Sequence, residues 1–254
     1  MTFLQKLNKA VSANNSMLCV GLDPHEKPLF FFCKKIVDQT HDLVCAYKPN
    51  SAFYEASGAA GIAELKKLCA YIQKKYPHIP IILDAKRADI GNTNNGYVSY
   101  AFDYLKVDAI TVHPYLGREA LKPFLDRKDK GIIVLCRTSN DGAGEYQDLI
   151  TKGKKLYMHL AKEVAKSWNK YNNCLLVVGA TYPKEMKQIR AVVGDITFLV
   201  PGIGAQGGDI EKSVKAGKNS KGRGMIISAS RSVLQAKSPR REAMKLRDEI
   251  NKYR

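Results

Sequence analysis

The sequence lacks the features of a secreted, membrane-spanning or disulfide-stapled protein. Residues 1–7 contain no sustained apolar segment of the kind found in signal peptides. No window approaches the ~18 uninterrupted apolar residues that a bilayer-spanning helix needs. The six cysteines form no Cys-x-x-Cys pair, and none has a histidine at metal-ligand spacing. We therefore expect reduced cysteines and a soluble protein of the cytoplasm.

Acidic residues are scarce relative to basic ones. The chain has 41 Lys and Arg against 24 Asp and Glu, a formal net charge of +17. Such an excess can indicate a nucleic-acid or anion-binding surface. The lysines, however, lie in scattered pairs such as Lys66-Lys67 and Lys154-Lys155, and not in one stripe interleaved with aromatic residues. We therefore expect solvated helix faces and no nucleic-acid partner, although the charge is compatible with steering of an anionic substrate.

Short apolar runs bounded by Gly, Pro, Asn or Asp recur along the whole chain and predict strands. There are eight: 17–21, 43–47, 79–83, 109–112, 131–136, 174–179, 196–200 and 224–228. Segments with helical periodicity lie between them, at 61–76, 151–171, 183–193, 209–216 and 239–253. Strands that alternate with helices predict βαβ units and a parallel sheet.

Eight such units favour a closed (β/α)8 TIM barrel of the α/β class. The 254 residues match the ~250 that are typical of this fold, and we expect one domain over residues 1–254. An open Rossmann-like sheet is the alternative. Its Gly-x-Gly-x-x-Gly fingerprint is absent after the first run, where Leu22-Asp23-Pro24 stands instead.

In such barrels the active site is built on the loops that follow the strands. Asp84 and Lys86 end the third run and are two residues apart, so on an extended strand they point to the same side. Asp89 follows within one turn, and Lys48 ends the second run. An ordinary ion pair, with Asn92 or Thr93 capping the next helix, is the structural alternative. A helix cap does not require two acidic residues and a lysine at one strand end. The cluster therefore favours a catalytic role over a purely structural one.

The loops after the seventh and eighth runs predict a phosphate site. Phosphate in TIM barrels often binds there, near a helix N-terminus. Residues 201–208 begin with Pro201 and supply glycine-rich backbone, with Gln206 as a side-chain donor. Ser230 and Arg231 follow the eighth run, and an arginine can hold phosphate with two parallel hydrogen bonds.

Residues 84–93, Asp-Ala-Lys-Arg-Ala-Asp-Ile-Gly-Asn-Thr, resemble the D-x-K-x-x-D-I-G-N-T signature of the orotidine 5'-monophosphate decarboxylase family. The bare D-x-K-x-x-D is shared by a wider barrel suprafamily that includes 3-keto-gulonate-6-phosphate decarboxylase and hexulose-phosphate synthase. Matching pieces at 21–24, 47–50, 137–140, 201–206 and 230–231 extend the resemblance over essentially the whole chain.

The resemblance implies decarboxylation of orotidine 5'-monophosphate to uridine 5'-monophosphate without a cofactor or metal. Lys86 is then the proton donor to C6 of the pyrimidine. Asp84 lies where it crowds the substrate carboxylate, and Lys48 keeps Asp84 ionised and orients the ribose. The family also implies that Asp89 and Thr93 reach into the neighbouring subunit's site, and hence a homodimer with shared active sites.

The remaining binding roles concern the sugar and the base. Asp23 is expected to bind the ribose hydroxyls as an ionised acceptor. Ser139, together with Thr138, is expected to hydrogen-bond the pyrimidine edge, although Ser139 could be an ordinary turn residue. His113 ends the fourth run without a second histidine or a carboxylate in its loop, which favours a packed histidine over a metal ligand.

Two other functions are compatible with parts of the pattern. A metal-dependent sugar-phosphate decarboxylase or aldolase has the same fold, but its related barrels carry acidic metal ligands after strands 1 and 2. Here the second strand ends in Lys48. A non-enzymatic nucleotide- or nucleic-acid-binding protein fits the charge but leaves the acids and lysine of residues 84–89 unexplained.

Overall fold

Eight parallel strands form the centre of the structure, a computed structural model that describes residues 1–203 and 207–254. The strands are β1 (Leu18–Gly21), β2 (Ala46–Lys48), β3 (Ile82–Arg87), β4 (Ala109–Val112), β5 (Gly131–Arg137), β6 (Cys174–Val178), β7 (Phe198–Val200) and β8 (Met225–Ala229). The side chains of β1, β2, β4, β6, β7 and β8 are buried throughout. This is the pattern of parallel strands that are covered on both faces.

The strands close into a barrel. They pair in the order β2, β1, β8, β7, β6, β5, β4 and β3. The remaining gap between β2 and β3 is spanned by the backbone bridges Tyr47–Ile81 and Asn50–Asp84. The prediction of a (β/α)8 TIM barrel is confirmed, and the carboxyl ends of the parallel strands meet at one rim.

Helices connect the strands and supply the outer layer. In the described residues they are α1 (Phe3–Ala13), α2 (Leu29–Thr40), α3 (Ser51–Glu55), α4 (Gly58–Lys75), α5 (Gly91–Val98), α6 (Gly117–Ala120), α7 (Lys122–Leu125), α8 (Gly144–Gln147), α9 (Leu156–Glu163), α10 (Pro183–Val193), α11 (Ile210–Gly217), α12 (Arg231–Leu234) and α13 (Pro239–Asn251). One π-helical turn, Ser99–Tyr104, continues α5, and another, Val164–Trp168, continues α9. A 3-10 turn, Asp141–Ala143, precedes α8.

Helix α4 illustrates why these segments are helical. Leu65, Leu68 and Ile72 recur at three- and four-residue spacing and are all fully buried against the barrel. The helix predicted from the periodicity of residues 61–76 is therefore confirmed, and burying such side chains is the main stabilising contribution to a surface helix.

The predicted helix over 151–171 begins too early. Ile150–Thr151 and Lys154–Lys155 instead form a short antiparallel hairpin, and α9 starts only at Leu156. The turn residues Lys152 and Gly153 both have positive φ, of 47° and 72°. A left-handed turn is incompatible with a continuous right-handed helix, so the helical period does not extend into this turn.

All six cysteines are buried free thiols. Burial raises the pKa of Cys19 and Cys136, for example, to about 12, so these thiols remain protonated at neutral pH. Among the helices of the described residues, none is both long and apolar enough to cross a membrane.

Candidate active site

A chain of alternating charges lies at the rim where β2 and β3 end. Lys48 Nζ is 3.0 Å from Asp84 Oδ2, and Lys86 Nζ is 2.8 Å from Asp84 Oδ1. The Lys48 residue is only 6% exposed, whereas the Lys86 side chain is 49% exposed. Asp84 therefore holds one buried and one accessible ammonium group, and the accessible one can face a ligand.

The two buried members of this chain are both held in their charged forms. Burial alone favours neutral Asp84, but the attraction of Lys48 and Lys86 and their hydrogen bonds outweigh it, so the pKa of Asp84 lies well below its usual range. Burial likewise opposes the charge of Lys48, but the carboxylates of Asp84 and Asp23 raise the pKa of Lys48 above its usual value. The site thus contains a fixed anion between two cations at neutral pH.

Strand β3 bulges where it carries these residues. Leu83 pairs with Ile110 and Arg87 pairs with Val112, so the register shifts and residues 84–86 lie opposite the single residue Thr111 of β4. Lys86 has φ of +48°, in the left-handed region. The expected proximity of Asp84 and Lys86 is therefore confirmed, but Lys86 is not in an extended conformation, and the bulge rather than simple strand alternation brings the two side chains together.

Asp23, after β1, is fixed by its two neighbours along the rim. The backbone N–H of Asn50 donates to Asp23 Oδ1 at 3.2 Å, and the Ser230 hydroxyl donates to Asp23 Oδ2 at 2.5 Å. Asn50 also caps α3, where its Oδ1 accepts from Ala52 N–H at 3.1 Å. The loops after β1, β2 and β8 are therefore joined through one carboxylate.

A cavity of about 340 Å³ opens among these strand ends, within the range of ~300–1,000 Å³ that is typical of small-molecule sites. Six of the predicted residues line it: Asp23, Lys48, Asp84, Pro201, Ser230 and Arg231. Asp23 follows β1, Lys48 ends β2 and Asp84 lies within β3, and the last three follow β7 and β8. Gln206, the predicted phosphate donor, lies outside the described residues. The cavity has cationic and anionic groups at the β2–β3 side and an exposed arginine at the β8 side.

The loop after β5 carries Thr138 and Ser139. The Thr138 hydroxyl donates to Asn140 Oδ1 at 2.7 Å and accepts from Gln147 Nε2 at 2.8 Å, so it is engaged within its own loop. Ser139 lies directly against Gly179 at the end of β6, where a Cβ on the glycine would lie 2.8 Å from Ser139 Cα. Only glycine permits this approach, which fixes the position of Ser139 at the rim.

Asp89 and Thr93 are placed apart from the cavity. Asp89 Oδ1 accepts from Ile90 N–H at 2.6 Å, and Asn94 binds the Asp89 backbone through its own side chain. Thr93 is exposed in the first turn of α5. The N-cap of that helix is Ile90, without a side-chain cap hydrogen bond. The alternative in which Asn92 or Thr93 caps the helix is therefore wrong.

Three polar residues support the site and were not assigned from the sequence. Thr111 and Asn94 are buried in the β3–β4 region, and Asn50 joins Asp23 to α3. Thr111 carries a detectable signal, since it is the one hydroxyl in the otherwise apolar run 109–112. Asn50 belongs to a Lys-Pro-Asn motif that follows a strand. The motif indicates that Asn50 lies in a loop, but it does not indicate that Asn50 binds Asp23.

Metal-ligating side chains do not cluster in the part of the chain that the structure describes. Within residues 1–203 and 207–254, no group of three or more His, Cys, Asp or Glu residues is arranged to hold a metal ion. His113, at the end of β4, is partly exposed and its backbone N–H donates to Arg87 O at 3.2 Å.

Known proteins resemble the chain over its full length. A family model described as "Orotidine 5'-phosphate decarboxylase / HUMPS family" matches residues 16–246. The chain is 49% identical to orotidine 5'-phosphate decarboxylase of Cellvibrio japonicus (strain Ueda107), covering 99% of this chain and 98% of the relative. It is 46% identical to the protein of the same name from Janthinobacterium sp. (strain Marseille), covering 100% and 99%.

A solved structure leads to the same family. The structure of Leishmania donovani OMP decarboxylase superimposes with a TM-score of 0.94 at 40% identity, covering 100% of this chain and 98% of that chain. The family resemblance drawn from residues 84–93 is thereby confirmed. The chain belongs to the orotidine 5'-phosphate decarboxylase / HUMPS family.

Proposed function

We propose that this protein decarboxylates orotidine 5'-monophosphate to uridine 5'-monophosphate and carbon dioxide, the last step of de novo UMP synthesis. The observation that carries the proposal is the Lys48–Asp84–Lys86 charge chain at the rim of the barrel, in a member of a family whose curated relatives bear this name. Coverage of nearly the full length of these relatives supports a single barrel domain over residues 1–254.

The chemistry requires a cation and a proton beside C6 of the pyrimidine. When the bond between C6 and the carboxylate breaks, carbon dioxide leaves and the electron pair stays on C6. The Lys86 ammonium stabilises that developing charge and then transfers a proton to C6. Since the Lys86 side chain is about half exposed, its amine regains a proton from solvent after product leaves.

Asp84 contributes through its fixed negative charge. Its lowered pKa keeps the carboxylate ionised at neutral pH, next to the expected position of the substrate carboxylate. That like-charge contact is relieved when carbon dioxide leaves, so it favours the transition state over the bound substrate. Lys48 holds Asp84 in place from the buried side at 3.0 Å and orients the ribose.

The rest of the cavity accounts for binding. Asp23 accepts hydrogen bonds from the ribose hydroxyls. Ser139, with Thr138 supporting its loop, contacts the pyrimidine edge. The phosphate lies between the loop after β7, with Pro201 and Gln206, and the loop after β8, with Ser230 and Arg231. Arg231 is exposed and lines the cavity, so it can pair with a phosphate through its planar donors.

We further propose a homodimer with shared active sites. Of the residues in the 84–93 motif, Asp84 lines the cavity, whereas Lys86, Asp89 and Thr93 do not. Beside them, Ile90 is 64% exposed and Tyr115, on the neighbouring β4 loop, is 87% exposed. A dimer interface at this rim would cover these apolar side chains, and in the proposed dimer a two-fold axis would bring Asp89 and Thr93 to the partner's cavity.

The proposed reaction takes place in the cytoplasm and uses neither a metal nor a cofactor. Metal-dependent sugar-phosphate chemistry is not favoured, because β2 ends in Lys48 and the curated relatives are named as orotidine 5'-phosphate decarboxylases.

The decisive assay follows the loss of orotidine absorbance with pure protein and excess chelator. Turnover that is unaffected by the chelator is expected. No turnover, or turnover of a keto-sugar phosphate only after magnesium is added, would refute the proposal.

A further inference from the structure

One buried hydroxyl group supports the bulge that carries Asp84 and Lys86. Thr111 Oγ1 accepts from the backbone N–H groups of Ala85, at 3.0 Å, and of Lys86, at 2.9 Å, and it donates to Asp84 Oδ1 at 2.9 Å. We propose that Thr111 is a positioning residue for the decarboxylation, holding the Asp84 carboxylate and the Lys86 backbone in their reactive arrangement. The inference rests on the roles proposed above for those two residues.

The hydrogen-bonding capacity of Thr111 is fully used. A hydroxyl has one donor and two acceptor lone pairs, and all three are directed at residues 84–86. In a regular parallel ladder those backbone groups would pair with the neighbouring strand, but the bulge places three residues opposite one. The side chain of Thr111 therefore replaces the missing ladder hydrogen bonds. With Thr111 only 1% exposed, water is a poor substitute.

The conformation of Lys86 explains why this support matters. A non-glycine residue in the left-handed region persists only when its surroundings determine its conformation. The Lys86 side chain is about half exposed, so packing around it contributes little. Its fixed contacts are the N–H bond to Thr111 and the Nζ contact to Asp84, which Thr111 also holds. Without the hydroxyl, the backbone relaxes and the ammonium moves relative to C6.

The test compares variants that differ in one hydroxyl. Thr111→Val keeps the shape and removes the hydroxyl, whereas Thr111→Ser keeps the hydroxyl and removes a methyl group. We expect Thr111→Val to lower kcat by about 10- to 100-fold, as a misplacement of about 1 Å can. KM should change by less than about threefold, because the binding groups stay in place. Thr111→Ser should retain kcat within about threefold of the wild-type value.

A matched control separates positioning from general stability. Thr40 is a fully buried threonine on α2 whose hydroxyl donates to Ile36 O at 2.8 Å. Thr40→Val should lower the thermal midpoint of unfolding but leave kcat unchanged. Equal kcat losses in Thr40→Val and Thr111→Val would mean that lost stability causes both, and would overturn the inference.

The remaining outcomes are also decisive. Wild-type kcat in folded Thr111→Val, or an equal loss in Thr111→Ser, overturns the role of the hydroxyl. Should Thr111→Val not fold, Thr111→Ala makes the same comparison, and failure of both to fold shows a purely structural residue. Lys86→Ala, assayed in parallel, tests the underlying function: wild-type rates there refute the role of Lys86 itself, whereas an inactive Lys86→Ala beside a fully active Thr111→Val refutes only the positioning.

Discussion

The hydroxyl of Ser230 donates a hydrogen bond of 2.5 Å to Oδ2 of Asp23, which connects the end of β8 to the end of β1. The backbone around it is tight, since a Cβ on Gly21 would lie 2.8 Å from Ser230 Cβ. Asp23 therefore has one oriented carboxylate, set by a hydroxyl from the phosphate side of the cavity. The sugar and phosphate ends of the proposed substrate site are coupled through these two residues.

Removing this hydroxyl should weaken binding more than chemistry. For Ser230→Ala we expect KM to rise by about 10-fold with kcat nearly unchanged, because a hydrogen bond to a charged group contributes about 1.5 kcal/mol and Asp23 is proposed to bind the ribose and not the reacting carbon. Steady-state kinetics measure both constants. Ser220→Ala is the matched control, because Ser220 also donates to an aspartate, Asp195, at 3.3 Å but lies outside the cavity. An unchanged KM in Ser230→Ala contradicts the coupling.

Lys86→Ala should lower kcat by several orders of magnitude, each factor of ten being about 1.4 kcal/mol of transition-state stabilisation. The proton donor is lost, and so is the cation beside the developing carbanion. The fold should persist, because the side chain is about half exposed. Lys106→Ala is the control, since Lys106 is another exposed lysine with a positive φ, of 58°. Comparable rates in the two variants would exclude Lys86 as the donor.

Lys48→Met should destabilise the fold in a pH-dependent manner. Removing one partner of a buried ion pair costs about 3–5 kcal/mol at neutral pH. The pKa of Asp84 is lowered in the folded state, so the stability that this carboxylate contributes is present above its unfolded pKa of about 3.9 and is lost as the pH falls below it. The difference between wild type and variant should therefore narrow in acid.

Urea unfolding of both proteins at several pH values measures this difference. The raised pKa of Lys48 places its own loss of charge above the ordinary lysine value of about 10.4, so the difference should stay constant from about pH 5 to pH 10. A difference that does not change between neutral pH and pH 3 would show that Lys48 acts by packing alone and not by charge.

Subunit mixing tests the shared site. Asp89→Ala and Lys86→Ala should each be nearly inactive, because each removes one half of every composite site. After exchange of subunits, half of the protein should be mixed dimers, each with one intact site. About a quarter of the wild-type activity per site is then expected. No recovery after exchange that is verified by native mass spectrometry would mean that Asp89 serves its own chain.

The strand count and the rim positions could be predicted because they depend on local patterns. Apolar runs ended by polar residues placed Lys48 at the end of β2, where the structure has it, but β3 continues past Asp84 to Arg87. Strand bounds shifted by up to four residues, as at β3, which spans Ile82–Arg87 instead of 79–83. The residue at which a strand begins or ends depends on neighbours that are distant in sequence, so no local pattern determines the strand bounds.

The bulge and its support could not be predicted, because both depend on pairing between strands. The amino-acid identities of residues 84–86 do not indicate that these three residues lie opposite Thr111, or that Lys86 adopts a positive φ. The hydrogen bond between Ser230 and Asp23 joins residues that are 207 positions apart. Both arise only once the barrel closes.

The pairing between neighbouring strands of the barrel is uneven, and this limits which residues can be substituted. The β5–β6 pair has five paired positions, with a register shift between Leu135 and Arg137, whereas β2 and β3 meet through two isolated backbone bridges. The Lys48–Asp84 contact crosses that thinner junction. The same ion pair thus links β2 to β3 and has a role in the proposed reaction, so a substitution there would affect both the closure of the barrel and the proposed chemistry. Changing the chemistry at these two positions requires new backbone or side-chain links between β2 and β3.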